Sequence, residues 1–237
     1  MNRQEQTTSK PSYRGIIRQI LRLAWLALLY WIAIVVSLSM LYWIIPPVST
    51  LMIGDWIRGK TVVRQYVPLE KISVHVPRAV LAAEDASFCE HGGVDWKAMG
   101  DVIKAAIRRG PSRGASTIAM QTSKNLFMVT SRSYIRKGLE IPVAMYLDLV
   151  WSKRRMIEVY LNIAEWGDGI YGIEAASRHY FGKPARLLGP REAALLAVAL
   201  PNPILRNPGN PAGYHQALAG RLVQRMNNEG PIDSCFR

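Results

Sequence analysis

Cysteine is scarce in this chain: only two of its 237 residues are cysteines. Two are too few for the disulfide framework that stabilises small secreted proteins, and the chain is long enough to form one substantial domain with its own core. Separation along the chain says nothing about distance in space, so pairing of Cys89 with Cys235 stays open. We expect both thiols to be unpaired.

Strand patterns are also scarce, and the chain has no internal repeat or low-complexity segment. Beyond Pro77, apolar residues recur at helical spacing, and Ser152 is typical of a residue that caps the helix after it. The predicted helices cover residues 78–86, 96–109, 133–150, 153–164, 174–180, 190–200 and 214–228, with extended structure at 61–67 and a loop at 109–116. This pattern predicts a mostly α domain.

Acidic residues are outnumbered: 17 Asp and Glu stand against 30 Lys and Arg, which gives a formal net charge of +13. A surface of this sign favours anionic partners, such as nucleic acid, phospholipid headgroups or a phosphate-bearing substrate. Charge alone does not choose among them.

One long stretch, residues 23–45, lacks charge altogether. As a helix it is about 34 Å long, enough to cross a hydrocarbon core of about 30 Å. A cleaved signal peptide would have a shorter apolar region, and a buried core helix seldom lacks polar residues on every face. Basic residues before the stretch place residues 1–22 in the cytoplasm. We therefore predict an uncleaved anchor with the rest of the chain outside, where a membrane-borne phosphate is a natural partner and DNA is not.

An acidic cluster, EDASFCEHGGVD, begins at Glu84 after an apolar approach. A carboxylate that leaves such a run is partly desolvated, and desolvation raises a carboxyl pKa toward the range that suits a general base. The same residues suit a helix cap or an ion pair, so Glu84 and Asp85 stay open between catalysis and capping. The spacing of His91 and these acids matches neither a zinc site nor a calcium loop.

Cations mark three further clusters. RGASTIAMQTSKN places Lys124 two turns into a helix whose start favours anions, although an ordinary helix capped by Ser116 would look the same. In RSYIRKGLE, Glu140 lies one turn after Arg136 and Lys137, so one carboxylate shares a helix face with two cations. KRRMIEVYLN is typical of core, with its three leading cations facing solvent or lipid headgroups.

In this order and spacing the clusters resemble the peptidoglycan glycosyltransferases (glycosyltransferase family 51), whose catalytic domain is lysozyme-like. The matching segments are AVLAAEDASFCEHGGVD, GASTIAMQTSKN, RKGLE, IEVYLN, GIYGIEAASRHYFGK and LGPREAALLAVALPNP. One anchor and no room for a transpeptidase domain are typical of the monofunctional biosynthetic type. The predicted organisation is a cytoplasmic tail at 1–22, a transmembrane helix at 23–45, a membrane-proximal linker at 46–77 and a lysozyme-like helical catalytic domain at 78–237.

The resemblance implies polymerisation of the peptidoglycan glycan. The 4-hydroxyl of a lipid-linked disaccharide-pentapeptide attacks the anomeric carbon of a growing glycan, with inversion and release of undecaprenyl pyrophosphate. Glu84 matches the family's general base, and Glu140 matches its second essential glutamate, near the leaving pyrophosphate. The positions that match donor contacts are Ser116, Gln121, Lys124, Arg132, Arg136 and Lys137. Asp85 is then a neighbour that shapes the turn.

The resemblance also implies the surroundings of the enzyme. No cofactor is required, although a divalent cation, Mg²⁺ or Mn²⁺, is a candidate at the pyrophosphate. Expected partners are the lipid-linked precursor, the nascent glycan, the membrane and other cell-wall synthesis or division proteins, but no nucleic acid. The implied location is the bacterial cytoplasmic (inner) membrane, with the catalytic domain on the periplasmic side. Ala115 and Met120 depart from the family pattern and bear on efficiency more than on reaction class.

Two rival interpretations need weighing. A lysozyme-like enzyme that cleaves glycan needs only one carboxylic acid, but it releases no pyrophosphate and has no use for the run of cations. A non-catalytic scaffold for cell-wall enzymes has no need of both Glu84 and Glu140.

Overall fold

The computed structural model describes residues 13–109, 115–128, 134–228, 230 and 232–236. Contacts divide the chain into two units, residues 1–42 and 43–237. Helix α1 (Tyr13–Ile44) has 32 residues and is long and apolar enough to cross a membrane, by length and composition. It starts earlier than the uncharged stretch because arginine is a good helix former, and it ends just before Pro46, since proline disfavours α geometry in the residue that precedes it.

The second unit is mostly helical, which confirms the predicted fold class. Its helices are α2 (Thr50–Ile57), α3 (His75–Glu84), α4 (Trp96–Arg109), α5 (Ile118–Phe127), α6 (Tyr134–Val150), α7 (Lys153–Ile163), α8 (Ile173–Phe181), α9 (Pro190–Ala199) and α10 (Gly213–Asn228), with 3₁₀ turns at Leu69–Lys71 and Ala185–Leu187. The predicted helix cap is confirmed, because the Ser152 hydroxyl accepts from Arg155 N at 3.2 Å. The helix predicted at 133–150 is confirmed over Tyr134–Val150, where it runs through Pro142, and residue 133 lies outside the described residues.

A small sheet lies beside these helices. Strand β1 (Val63–Arg64) pairs in parallel with β3 (Ile170–Tyr171), and β2 (Glu165–Gly167) pairs antiparallel with β3, in the order β1-β3-β2. Val63 lies opposite Ile170. The extended structure predicted at 61–67 is therefore present, although its paired part is only two residues long.

Helix α2 lies within the linker predicted at 46–77, for which the sequence predicts no helix. Its eight residues include Gly54, a weak helix former, and tertiary contacts hold it instead. The single proton of the Thr50 hydroxyl is shared between Met128 O at 2.7 Å and Asn125 O at 3.0 Å. Asp55 accepts from the Tyr171 hydroxyl at 2.7 Å. These contacts lie far apart in sequence, so no local pattern reveals them.

The candidate site lies where two groups of packed helices meet. Helix α3 packs against α9 and α10, and α5 packs against α6 and α7. The end of α3 is tied to the start of α5 by a hydrogen bond from Ile118 N to Asp85 Oδ2 at 2.9 Å. Burial of Val80 and Leu81, both with no exposed surface, fixes the direction in which α3 presents its last residue, Glu84.

Candidate active site

Glu84 ends α3, and a neutral amide holds its carboxylate. Gln121 on α5 donates from Nε2 to Glu84 Oε2 at 2.9 Å. The Tyr160 hydroxyl on α7 donates to Gln121 Oε1, also at 2.9 Å, which orients the amide so that its NH₂ group faces Glu84. Burial first, and then the charges of Glu84 and Asp85, raise the pKa of Tyr160 well above its usual 10.0, so this side chain stays a neutral donor. Glu84 itself is half-buried and accessible to a ligand.

Asp85 is buried, and its carboxylate has partners different from those of Glu84. One of its oxygens accepts from Ile118 N, and the other lies 2.8 Å from His91 Nε2. The first amides of a helix lack partners within that helix, so Asp85 satisfies a donor that would otherwise be unpaired. The two adjacent carboxylates therefore serve different partners. This geometry agrees with the interpretation of Asp85 as a neighbour that shapes the turn.

The loop after Glu84 approaches α6 through a glycine. Gly93 has a φ of +82°, and a Cβ at this position would lie 2.6 Å from Ala144 O, so a side chain does not fit. Gly93 O accepts from the Thr117 hydroxyl at 2.6 Å. The same hydroxyl accepts from Met120 N at 3.2 Å, which makes Thr117, and not Ser116, the cap of α5.

A disulfide ties this loop to the end of the chain. Cys89 and Cys235 are bonded, with their Cα atoms 5.5 Å apart, and the expectation of two unpaired thiols is wrong. The two residues lie 146 positions apart, and only the fold brings them together. The ring of Phe236 packs edge-on against buried Phe88, 6.2 Å between centroids, and Phe236 O accepts from Arg154 Nη1 at 3.1 Å.

The cations that open α7 hold the structure together. Lys153 Nζ donates to His91 O at 2.6 Å and pairs with Asp148 at 2.7 Å. Arg155 pairs with Glu158 and donates to the Tyr66 hydroxyl at 2.6 Å. The expectation that these cations face solvent or lipid headgroups is therefore wrong for Lys153 and Arg155, because both lie inside networks of ion pairs and hydrogen bonds.

Glu140 on α6 is surrounded by cations, as its helical spacing predicts. Its side chain is 3% exposed and pairs with Arg136 Nη1 and, at 3.4 Å, with Lys137 Nζ. Burial and the positive charges of Arg136 and Lys124 lower the pKa of Lys137. We call Arg136, Lys137 and Glu140 the Glu140 cluster.

Lys124 on α5 interacts electrostatically with Glu84 and with Arg136 and Lys137 of the Glu140 cluster. Burial first, and then Arg136, lower its pKa from the usual 10.5, while Glu84 opposes that shift. These couplings bring together four of the predicted donor-site side chains, Gln121, Lys124, Arg136 and Lys137, with both glutamates. Arg132 lies outside the described residues.

A cavity of about 330 Å³ opens beside Glu84, and we call it the Glu84 cavity. Glu84, Asp85, Asp95 and Ser116 line it together with Arg225 from α10. Ser116 thus joins the predicted site through the cavity. Arg225 and Tyr160 are missing from the residues predicted by the sequence. Tyr160 lies in an apolar helical pattern that indicates core, and no local pattern connects Arg225 with Glu84.

Within the described residues, no three His, Cys, Asp or Glu side chains form a group that could hold a metal ion. Near Lys124 the buried carboxylate of Glu140 is already paired with cations. A divalent ion there would take most of its oxygen ligands from a bound pyrophosphate and from water, as Mg²⁺ commonly does. The divalent-cation prediction remains a prediction.

The arrangement suits transfer to a hydroxyl nucleophile from a donor with an anionic leaving group. Glu84 is a carboxylate at an open cavity, within reach of a ligand that could give it a proton. Lys124 and the Glu140 cluster place three cations where negative charge can be neutralised, and this neutralisation is stronger in a partly buried site than in water.

Comparisons with known proteins agree with this chemistry. The family model described as Transglycosylase matches residues 52–227. A biosynthetic peptidoglycan transglycosylase of Brucella suis biovar 1 is 54% identical over 191 residues, covering 81% of this chain and 85% of that protein. The protein of the same name from Agrobacterium fabrum is 52% identical, with 81% and 84% covered, and that from Rhodopseudomonas palustris is 45% identical over 223 residues, with 93% and 98% covered. The chain therefore belongs to the transglycosylase family, a family of glycosyltransferases.

Proposed function

We propose that this protein polymerises the glycan of peptidoglycan from lipid-linked disaccharide-pentapeptide and releases undecaprenyl pyrophosphate. The observation that carries the proposal is that an accessible carboxylate and a group of cations occur together in one site. Glu84 faces an open cavity and is held by a neutral amide, and Lys124 with the Glu140 cluster supplies cations beside it. The names of the relatives support the same reaction class.

In the proposed reaction Glu84 accepts the proton of the acceptor's 4-hydroxyl as the oxygen attacks the anomeric carbon of the donor glycan. The bond from that carbon to the pyrophosphate oxygen breaks with inversion, and the electron pair leaves with the pyrophosphate. Lys124, Arg136 and Lys137 neutralise the departing charge, and Arg132 is a further predicted contact. A positioned base contributes about 10²–10⁴ in rate.

We also propose where the enzyme works. Helix α1 anchors it in the bacterial cytoplasmic membrane, with the basic residues before the apolar stretch in the cytoplasm and the catalytic unit on the periplasmic side. This topology supports access to substrates whose lipid tails lie in the same membrane. Other cell-wall synthesis or division proteins are candidate partners.

The test is a polymerisation assay with the full-length protein in vesicles. Lipid-linked disaccharide-pentapeptide should yield long glycan and released lipid pyrophosphate. Shortening of preformed glycan, with the precursor left untouched, would instead identify a glycan-cleaving enzyme. Parallel reactions with a chelator, and with Mg²⁺ or Mn²⁺ restored, decide whether a divalent cation takes part.

A further inference from the structure

Three arginines line a second cavity, of about 240 Å³, next to the Glu84 cavity. Arg221 and Arg225 lie one turn apart on α10, and Arg206 follows α9. The Arg206 guanidinium also donates to Val198 O, a contact that fixes its position. We call this second cavity the arginine groove.

The arginine groove adjoins the Glu84 cavity. Ala83 and Arg225 line both spaces, so the two cavities are direct neighbours. Lys124, Arg136 and Lys137 line neither of the two. The described part of the chain therefore has two separate groups of cations around Glu84.

The Glu84 cavity and the adjoining arginine groove differ in the charge of their lining residues. Three acidic residues line the Glu84 cavity against one cation, Arg225, and this excess of negative charge is unfavourable for a pyrophosphate. The arginine groove is lined by three arginines and by no acidic residue. A ligand with an uncharged sugar at one end and a phosphate group at the other matches this order.

Two exposed aliphatic residues come directly before Arg206 in the sequence. Ile204 is 66% exposed and Leu205 is 80% exposed. Guanidinium groups bind phosphate oxygens in pairs, and aliphatic side chains bind hydrocarbon. This combination is suited to a phosphate that carries a lipid chain.

We propose that the arginine groove binds the pyrophosphate of the acceptor, with the acceptor's sugars in the Glu84 cavity and its lipid leaving past Ile204 and Leu205. The inference rests on the proposed function, because that reaction brings together two lipid pyrophosphates. The donor pyrophosphate lies at Lys124 and the Glu140 cluster. The acceptor presents its hydroxyl to Glu84 from the other end of its disaccharide, and its own pyrophosphate therefore needs a second cationic site.

The test measures kinetics with a saturating lipid-linked glycan primer as donor and a varied concentration of lipid-linked disaccharide-pentapeptide as acceptor. Arg221→Gln and Arg225→Gln should each raise KM for the acceptor about 10-fold, the loss expected for a hydrogen bond between charged partners. The change in kcat should stay below about 3-fold. Arg191→Gln is the matched control, because Arg191 is exposed on α9 and lines neither cavity.

Binding to Glu84→Gln protein separates recognition from turnover. Precursor affinity should fall about 10-fold when Arg221→Gln is added. Affinity for phosphatidylglycerol vesicles should stay unchanged, and an equal loss there would make the groove a general site for anionic headgroups. Arg221→Lys keeps the positive charge and should restore part of the precursor affinity. This variant also keeps the inference testable if Arg221→Gln folds poorly. Wild-type protein without polymerase activity would refute the proposed function, whereas active variants with unchanged KM would refute only this inference.

Discussion

Glu84 and Glu140 are the same residue type in one site, yet the protein surrounds them differently. Glu84 receives a hydrogen bond from a neutral amide and faces an open cavity. Glu140 is buried and paired with Arg136 and Lys137. An accessible carboxylate held by a neutral amide can accept a proton, whereas a buried carboxylate paired with two cations is suited to balancing and positioning charge. One residue type therefore lies in two different surroundings, and these suit it to two different roles.

The largest expected effect comes from Glu84→Gln. Polymerisation should fall by about 10²–10⁴, the contribution of a positioned general base. The free energy of unfolding should change little, since glutamine can still accept through its carbonyl oxygen from Gln121. The measurements are single-turnover rates and the urea midpoint of the same sample. Substantial residual turnover would remove Glu84 from the role of base.

Loss of the Cys89–Cys235 disulfide should have the next largest effect, on the free energy of unfolding. The bond holds the loop that follows Glu84 and does not involve the Glu140 cluster. Cys235→Ser should lower the free energy of unfolding by about 3 kcal/mol, because the bond closes a long loop. Donor binding at the Glu140 cluster should be unaffected. Chemical denaturation with and without dithiothreitol measures the effect.

The control for this prediction is the double variant, Cys89→Ser with Cys235→Ser, which should not respond to dithiothreitol. Thiols that react in the oxidised wild-type protein without prior reduction would show that the bond does not form.

The sequence predicts the contacts of Glu140 better than it predicts those of Glu84. The contacts of Glu140 follow from helical spacing, since Arg136 and Lys137 lie one turn away on α6. Glu84 receives its hydrogen bond from Gln121, 37 positions on, and Tyr160, which orients Gln121, lies 76 positions on. Only Gln121 is named by the resemblance, and spacing along the chain names neither.

The same distinction runs through the fold. Most helices from α3 onward follow from apolar periodicity and from caps such as Ser152, which act within a few residues. Helix α2 and the Cys89–Cys235 bond depend on contacts between distant segments. Arg225 likewise reaches the Glu84 cavity only because α10 packs against α3. The sequence therefore predicts contacts between residues a few positions apart, but it does not predict which distant segments pack together.

Glu140→Gln tests the other side of the comparison. It leaves two cations without their buried counter-charge and should lower the free energy of unfolding by about 2 kcal/mol, less than for a fully buried pair because Lys137 is 46% exposed. The loss should shrink as salt is added, since exposed cations are screened. Thermal melts at two salt concentrations, with Glu84→Gln as the comparison, measure this. Equal stability of the two variants would contradict the difference in surroundings.

The protonation of Lys124 links the two sides. Its pKa lies below the usual 10.5 through burial and Arg136, so it loses its proton earlier than an ordinary lysine as pH rises. Between its folded and unfolded pKa values the unfolded chain binds more protons, and stability therefore rises with pH in that window while donor affinity falls. The KM for donor should increase on the alkaline side, below pH 10.5.

Lys124→Arg should move this alkaline limb upward, because a guanidinium does not titrate in this range. Lys60→Arg is the control, since Lys60 lies at the surface beside Asp168, which raises its pKa. An unchanged profile in Lys124→Arg would assign the limb to another group.

The smallest expected effect concerns Tyr160, which acts on Glu84 only through Gln121. Tyr160→Phe removes the hydrogen bond that orients the amide, and kcat should fall about 2–10-fold, the value of one neutral hydrogen bond. Tyr180→Phe is the matched control: its hydroxyl donates to Trp166 O at 3.1 Å, and it lines none of the cavities around Glu84. The two variants should lose similar stability, but only Tyr160→Phe should lower kcat. Equal kcat values for Tyr160→Phe and Tyr180→Phe would mean that Gln121 keeps its orientation without the Tyr160 hydroxyl. Gln121 alone would then position the hydrogen bond to Glu84.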